Sequence, residues 1–135
     1  MKNKELIEKA ASVVRSRRNG DYTIGDVGCA LLTDKGNLYF GVCIDTMSSM
    51  GFCAEHNAAG SMVTAGESRI NKIVAVSKSP RRGEGVYVLA PCGRCREFIY
   101  QINKENLDTE VVLDETKSLS LKELLPFHDW FKKLD

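Results

Sequence analysis

Short apolar runs alternate along the whole chain with segments whose apolar residues recur at helical spacing. Five such runs predict strands, at residues 27–32, 38–44, 70–76, 86–90 and 109–113. Four segments predict helices, at residues 6–14, 53–66, 92–102 and 119–125. Strands that alternate with helices form a sheet that is covered by helices on both faces. We therefore expect an α/β/α sandwich around a mixed five-stranded sheet.

The length of the chain limits how many domains it can form. A chain of 135 residues has room for one hydrophobic core. Asn19-Gly20 ends the first helical pattern, and Arg15, Arg17 and Arg18 precede it. Cations are favoured at the C-terminal end of a helix, so we interpret these arginines as the solvated end of the first helix. The sequence predicts a single domain over residues 1–135.

Charge and hydropathy exclude several classes of partner. The net charge is +1, which does not provide the basic surface typical of a nucleic-acid-binding protein. No stretch approaches the ~18 consecutive apolar residues that cross a bilayer, and the N-terminus lacks the apolar segment of a secretion signal. Five cysteines, an odd number, suit a compartment in which thiols stay reduced. We expect a cytoplasmic protein without a membrane or nucleic-acid partner.

Two short segments carry the residues of a reactive site. They are Cys53-Ala54-Glu55 and Pro91-Cys92-Gly93-Arg94-Cys95. A C-x-x-C pair alone is typical of half a structural zinc site or of a redox pair. The third cysteine, at the predicted start of another helix and two residues before Glu55, favours a metal site.

Three thiolates leave one tetrahedral position of a zinc ion open, as catalytic zinc requires. None of the remaining cysteines and histidines has a spacing that indicates a fourth protein ligand. They are Cys29, Cys43, His56 and His128. Glu55 is close enough to a ligand to take a proton from a water in the open position. The helix N-termini at Cys53 and Cys92 would stabilise thiolates, and Arg94 would donate hydrogen bonds to sulfur from the second shell.

Over nearly its whole length the sequence resembles the cytidine deaminase family of zinc-dependent enzymes. The resemblance rests on Tyr22-Thr23, Val27 to Leu31, Cys53-Ala54-Glu55 and Pro91 to Arg96, which fall in the family's order. It implies Zn²⁺ bound by Cys53, Cys92 and Cys95, and Glu55 as the proton shuttle. It also implies hydrolytic deamination of a cytosine nucleoside, and a homotetramer.

The sequence departs from the family where the substrate is bound. The family's Asn-x-Glu, which holds the ribose, corresponds to Cys43-Ile44-Asp45, and a stacking aromatic residue corresponds to Gly25. By resemblance, Cys43, Asp45 and Ala54 are the expected substrate contacts. The family's arginine after Cys-Ala-Glu is His56.

Three alternatives to cytidine deamination remain open. The segment Pro91 to Arg96 and the ending Leu121 to Pro126 resemble blasticidin-S deaminase, which implies a modified cytosine nucleoside as substrate. A zinc-stabilised binding module would need no Glu55. A polynucleotide deaminase would need a basic channel with stacking aromatic residues, which the charge and the 7% aromatic content disfavour.

Overall fold

The fold is built on one mixed sheet, and the computed structural model describes residues 1–78 and 83–135. The sheet contains seven strands: β1 (Arg17–Asn19), β2 (Tyr22–Thr33), β3 (Leu38–Ile44), β4 (Ile70–Ser77), β5 (Tyr87–Leu89), β6 (Glu110–Val112) and β7 (Ser118–Ser120). The central strand β2 runs antiparallel to β3 along one edge and to β4 along the other. Because β4 pairs antiparallel with β5 and parallel with β6, the sheet is mixed, as predicted.

The predicted count of five strands is wrong, since β1 and β7 bring the count to seven. Both extra strands have three residues and lack a run of apolar side chains, so hydrophobic periodicity does not reveal them. The interpretation of Arg17 and Arg18 as the end of a helix is also wrong. They lie in β1, whose three residues are exposed and pair with the first residues of β2.

In the described part of the chain, four α-helices cover the sheet: α1 (Asn3–Ser12), α2 (Ala54–Thr64), α3 (Gly93–Ile102) and α4 (Leu121–Leu124). Helix α1 packs on one face of the sheet through Leu6, Ile7 and Ala10. Helices α2, α3 and α4 contribute to the core on the other face, which also includes Cys29 and Leu31 of β2. Alternate residues of β2 therefore face opposite layers, and the predicted α/β/α arrangement is confirmed.

Helix α2 lies unusually close to β3 at Gly41. A Cβ atom at Gly41 would lie 2.3 Å from the backbone nitrogen of Ala58 and 2.6 Å from the carbonyl oxygen of Ala54. Asn57 strengthens this contact, because its side-chain amide donates to the carbonyl oxygen of Val42 at 3.2 Å. Because Gly41 has no side chain, the backbone of α2 can pack directly against β3 at this position.

Within the described ranges, none of the helices combines the length and the apolar character needed to span a bilayer.

Candidate metal centre

The N-termini of α2 and α3 carry the cysteines that the sequence analysis selected. Cys53 is the N-cap residue of α2, and Cys92 is the N-cap residue of α3. Cys95 lies buried in the first turn of α3. Both helices thus begin where the sequence predicted, and the first turn of α3 presents backbone N–H groups toward the Cys92 sulfur.

Two anchors hold the segments that lead into these helices. Ile44 and Phe52 exchange two backbone hydrogen bonds of 3.0 Å, which tie the residue before Cys53 to the end of β3. On the α3 side, the guanidinium of Arg96 donates to the carbonyl oxygens of Pro91 at 2.8 Å and Leu124 at 2.9 Å. The two helix starts are therefore fixed by neighbouring backbone as well as by the core.

The sulfur atoms have the spacing of zinc ligands. The Sγ atoms of Cys92 and Cys95 lie 3.8 Å apart. Zinc–sulfur bonds of about 2.3 Å in a tetrahedron place two sulfurs about 3.8 Å apart. Cys53 lies within hydrogen-bonding reach of both thiols. The thiol cluster thus fits a zinc ion, which a set of cysteines and histidine prefers over harder cations.

His56 lies inside the same cluster, although the sequence analysis found no spacing that indicates ligation for it. Its Nδ1 atom is 3.4 Å from Sγ of Cys95, and the ligand atoms of Cys53, His56 and Cys95 all lie within 4.8 Å of one another. The imidazole stacks on Phe98 of α3, with ring centroids 4.2 Å apart and an angle of 11° between the planes. The sequence signal for this placement is the spacing Cys53-x-x-His56, which puts both side chains on one face of α2 once that helix begins at Cys53.

Glu55 lies in the first turn of α2 and is 6% exposed. Burial raises the pKa of its carboxyl group, and its own backbone N–H and the Cys95 thiol offset part of that rise. Burial is the main reason that the pKa values of the Cys53 and Cys95 thiols are raised. The nearby Glu55 carboxylate raises both further by charge repulsion. A carboxyl group whose pKa is raised by burial, beside the metal-binding cluster, is suited to accept and release a proton during a reaction.

Cys92 differs from the other two thiols in its electrostatics. Burial alone would raise its pKa, but hydrogen bonds from the backbone N–H groups of Cys95 and Arg94 and from the Cys95 and Cys53 thiols together outweigh burial and lower the pKa. The side chain of Arg94 is exposed. Arg94 therefore acts on the Cys92 sulfur through its backbone nitrogen. Burial lowers the pKa of His56, and the positive charge of Arg94 lowers it further.

The three residues expected to contact substrate lie around the start of α2 in different environments. Ala54 is completely buried, and Asp45 is exposed beyond the end of β3. The Cys43 thiol is buried, and it donates to Oδ1 of Asp26 at 3.0 Å. The sequence analysis did not select Asp26. A charged residue within an otherwise apolar strand segment is the signal that would have found it.

Comparison with known proteins assigns the chain to a family. The family model described as "Cytidine and deoxycytidylate deaminase zinc-binding region" matches residues 1–109. The chain is 25% identical over 126 residues to the cytidine deaminase of Mycoplasma genitalium, covering 91% of this chain and 92% of that protein. It is 37% identical over 76 residues to the blasticidin-S deaminase of Bacillus cereus, covering 54% of each.

A solved structure extends the likeness to the fold. The crystal structure of a cytidine deaminase from Burkholderia pseudomallei superimposes with a TM-score of 0.74 at 27% identity, covering 94% of this chain and 98% of that one. The resemblance noted from the motifs is thus confirmed by the match over residues 1–109 and by the shared architecture. The chain belongs to the cytidine and deoxycytidylate deaminase family.

Proposed function

We propose that this protein is a zinc-dependent hydrolase that removes the amino group from the cytosine ring of a nucleoside and releases ammonia. The observation that carries the proposal is the buried Glu55 carboxyl group next to the Cys53–Cys95 thiol cluster. A structural zinc site needs no such group, because its ligands alone complete it. Family membership supports the same reaction.

In this proposal Cys53, Cys92 and Cys95 would hold the zinc, and three protein ligands would leave room for water. Zinc, when bound there, acidifies water and so provides a nucleophile near neutral pH. Glu55 takes a proton from the attacking water and delivers it to the ring nitrogen next to the amino-bearing carbon. The carboxylate then takes the second proton from the hydroxyl group now on that carbon and passes it to the amino group, so that the C–N bond breaks, ammonia leaves and the oxygen stays as a carbonyl.

His56 supports a second candidate function. Its Nδ1 atom, 3.4 Å from Sγ of Cys95, is close enough to serve as a fourth ligand. Four protein ligands would close the coordination sphere and leave a zinc-stabilised binding module. Glu55 and the stacking of His56 on Phe98 favour the first candidate, since the stacked ring can donate a hydrogen bond to the Cys95 thiolate instead of binding zinc.

An ammonia-release assay over a panel of aminopyrimidine nucleosides tests the proposed function. The panel contains cytidine, deoxycytidine and a bulkier cytosine nucleoside such as blasticidin S, which the likeness to a blasticidin-S deaminase makes the alternative substrate. We expect zinc-dependent release from at least one of them, and weaker turnover of cytidine than of another member, because Cys43 and Asp45 replace the expected ribose contacts. If no member releases ammonia while zinc is bound, the binding module becomes the correct assignment.

We also propose that the protein is a cytoplasmic homotetramer. The cytoplasm keeps free thiols reduced, as a cluster of metal-binding cysteines requires. Around the outer side of α2, Gly60 is exposed with open space around it, and Phe52 and Val63 are large apolar side chains with solvent exposure. A surface of small and apolar residues allows close packing of helices from different copies. Light scattering should therefore give a mass of about four chains, and a mass near that of one chain, 15.0 kDa, would contradict the proposal.

A further inference from the structure

Asp26 is a buried carboxylate that the proposed reaction does not use. It lies in β2, and 7% of the residue is exposed. No ion pair involves Asp26 in the part of the chain that the structure describes, and the guanidinium of nearby Arg17 donates to the carbonyl oxygen of Arg15 instead. Burying a charge without a cation is costly, so its retention calls for a hydrogen-bonding partner or a ligand.

The backbone around Asp26 is bent away from a regular strand. Gly25 has φ of 77°, and a Cβ atom there would lie 2.6 Å from the carbonyl oxygen of Arg15. The pairing of β2 with β3 shifts register between Ile24 and Gly28, so Asp26 lies within an irregular stretch of the strand. Such irregularities redirect a side chain that regular pleating would send to the other face of the sheet.

The side chain of Cys43 holds the Asp26 carboxylate in place. Its Sγ atom lies 3.0 Å from Oδ1 of Asp26. Burial, with a smaller effect from Asp26, raises the pKa of the Cys43 thiol to about 11, so the thiol stays protonated and donates. One carboxylate oxygen is thereby used, and the carboxylate retains further capacity to accept hydrogen bonds.

The Asp26–Cys43 pair lies at the same end of the sheet as the metal centre. Cys43 precedes Ile44, whose backbone pairs with Phe52, the residue immediately before Cys53. Cys29 follows Asp26 by three residues along β2. Burial raises the pKa of the Cys29 thiol, and the nearby Glu55 carboxylate raises it further. The pair therefore lies at the end of β3 that leads, through the Ile44–Phe52 pairing, to the start of α2 at Cys53.

We propose that Asp26, oriented by Cys43, is a specificity-determining residue that accepts hydrogen bonds from the substituent on the substrate's ring nitrogen. A carboxylate accepts from hydroxyl and ammonium groups and repels phosphate, so the site selects nucleosides and disfavours nucleotides. This inference rests on the proposed deaminase function, and it names the substrate class of that site. It also explains how the substrate is held although the Cys43 thiol stands where the family has the amide of an asparagine.

The experiment compares wild type with Asp26→Asn, which keeps the shape and removes the charge. Calorimetry measures the binding of uridine and uridine 5′-monophosphate, and steady-state assays measure kcat and KM on the best nucleoside of the panel. We expect wild type to bind uridine at least about tenfold more tightly than the monophosphate. In Asp26→Asn, KM and the Kd of uridine should rise about 10- to 100-fold, the loss typical of a hydrogen bond to a charged group, while kcat changes by less than about threefold.

A matched control removes the same charge from the exposed Asp21, in the turn before β2. Asp21→Asn should leave both affinities and KM unchanged. Two kinds of nucleoside distinguish a hydroxyl donor from an ammonium donor: one carries only hydroxyl groups on the sugar, and the other carries an added ammonium group. The affinity for the ammonium nucleoside should fall further in Asp26→Asn, because that ligand also loses an attraction between opposite charges. Zinc content shows that each variant retains its metal site.

Variants of Cys43 test whether it orients Asp26. Cys43→Ala should raise KM in the same direction as Asp26→Asn, and Cys43→Ser, which keeps a donor, should restore most of the wild-type KM. If wild type turns over nucleosides but Asp26→Asn keeps both KM and the preference over the monophosphate, Asp26 has no role in specificity and only this inference fails. If wild type neither binds uridine nor releases ammonia, the proposed function and this inference fail together.

Discussion

Replacing Glu55 with Gln should leave the zinc and the fold intact and lower kcat by about 10⁴-fold. General acid–base groups typically contribute ~10² to 10⁴-fold, and a group that handles several proton transfers in one turnover belongs at the upper end of that range. Glutamine has the same shape as glutamate, so the 6%-exposed site is filled without a cavity. An amide neither takes a proton from water nor delivers one to a ring nitrogen.

The measurement is ammonia release on the best nucleoside of the panel, together with metal content and thermal unfolding. Glu67→Gln is the matched control, because Glu67 is also a buried glutamate, 8% exposed, that is held by Tyr39 and Asn37 after the C-terminal end of α2. We expect Glu67→Gln to change kcat by less than about threefold. A Glu55→Gln enzyme that keeps more than about a tenth of the wild-type kcat would exclude Glu55 as the proton shuttle.

Removal of any one proposed ligand should strip the metal from the protein. We expect about one zinc per chain in wild type, and little or none in Cys53→Ala, Cys92→Ala or Cys95→Ala. The thermal midpoint should fall as well, because the thiols connect the starts of α2 and α3 and the binding free energy of the metal contributes to folding. Metal analysis and calorimetric unfolding of each purified variant measure both effects.

Cys29→Ala controls for the loss of a buried cysteine, since Cys29 is fully buried in β2 and outside the thiol cluster. It should keep the metal while losing some stability to the smaller side chain. Full zinc occupancy in a Cys53→Ala, Cys92→Ala double variant would disprove the ligand assignment. Retention of zinc in Cys92→Ala, with its loss in His56→Ala, would assign His56 as a ligand instead.

The layered fold and the helix starts were predictable because they depend on local patterns. Apolar runs and helical spacing indicated the sandwich, and α2 and α3 begin directly after Cys53 and Cys92 as expected. The strands β1 and β7 were not predictable, because three-residue strands gain their hydrogen bonds from a neighbour rather than from their own sequence pattern. The family followed from the resemblance of the motifs, the cysteine spacing indicated the cofactor, and both were confirmed by comparison.

The surroundings of the metal centre were harder to predict than its ligands. The position of His56 depends on Phe98 of another helix, and that of Asp26 depends on the bend at Gly25 and on Cys43 of the next strand. The His56–Phe98 and Asp26–Cys43 contacts join residues that are far apart in the chain, so the sequence offers these residues as candidates without showing which ones meet. Chemistry was thus more accessible from the sequence than substrate selection.

Amino-acid substitutions should be tolerated at some positions around the metal centre and not at others, because Gly41 contacts the backbone of α2. Any side chain at Gly41 would collide with the backbone of the helix that carries Glu55, so a mutation there shifts the reaction centre as a whole. Asp26 and Cys43, by contrast, contact each other through their side chains, and a change in either leaves Gly41 and its contact with the helix backbone unaltered. Descendants of this protein would therefore acquire new substrates through changes at Asp26 and Cys43, while the position under the helix remains glycine.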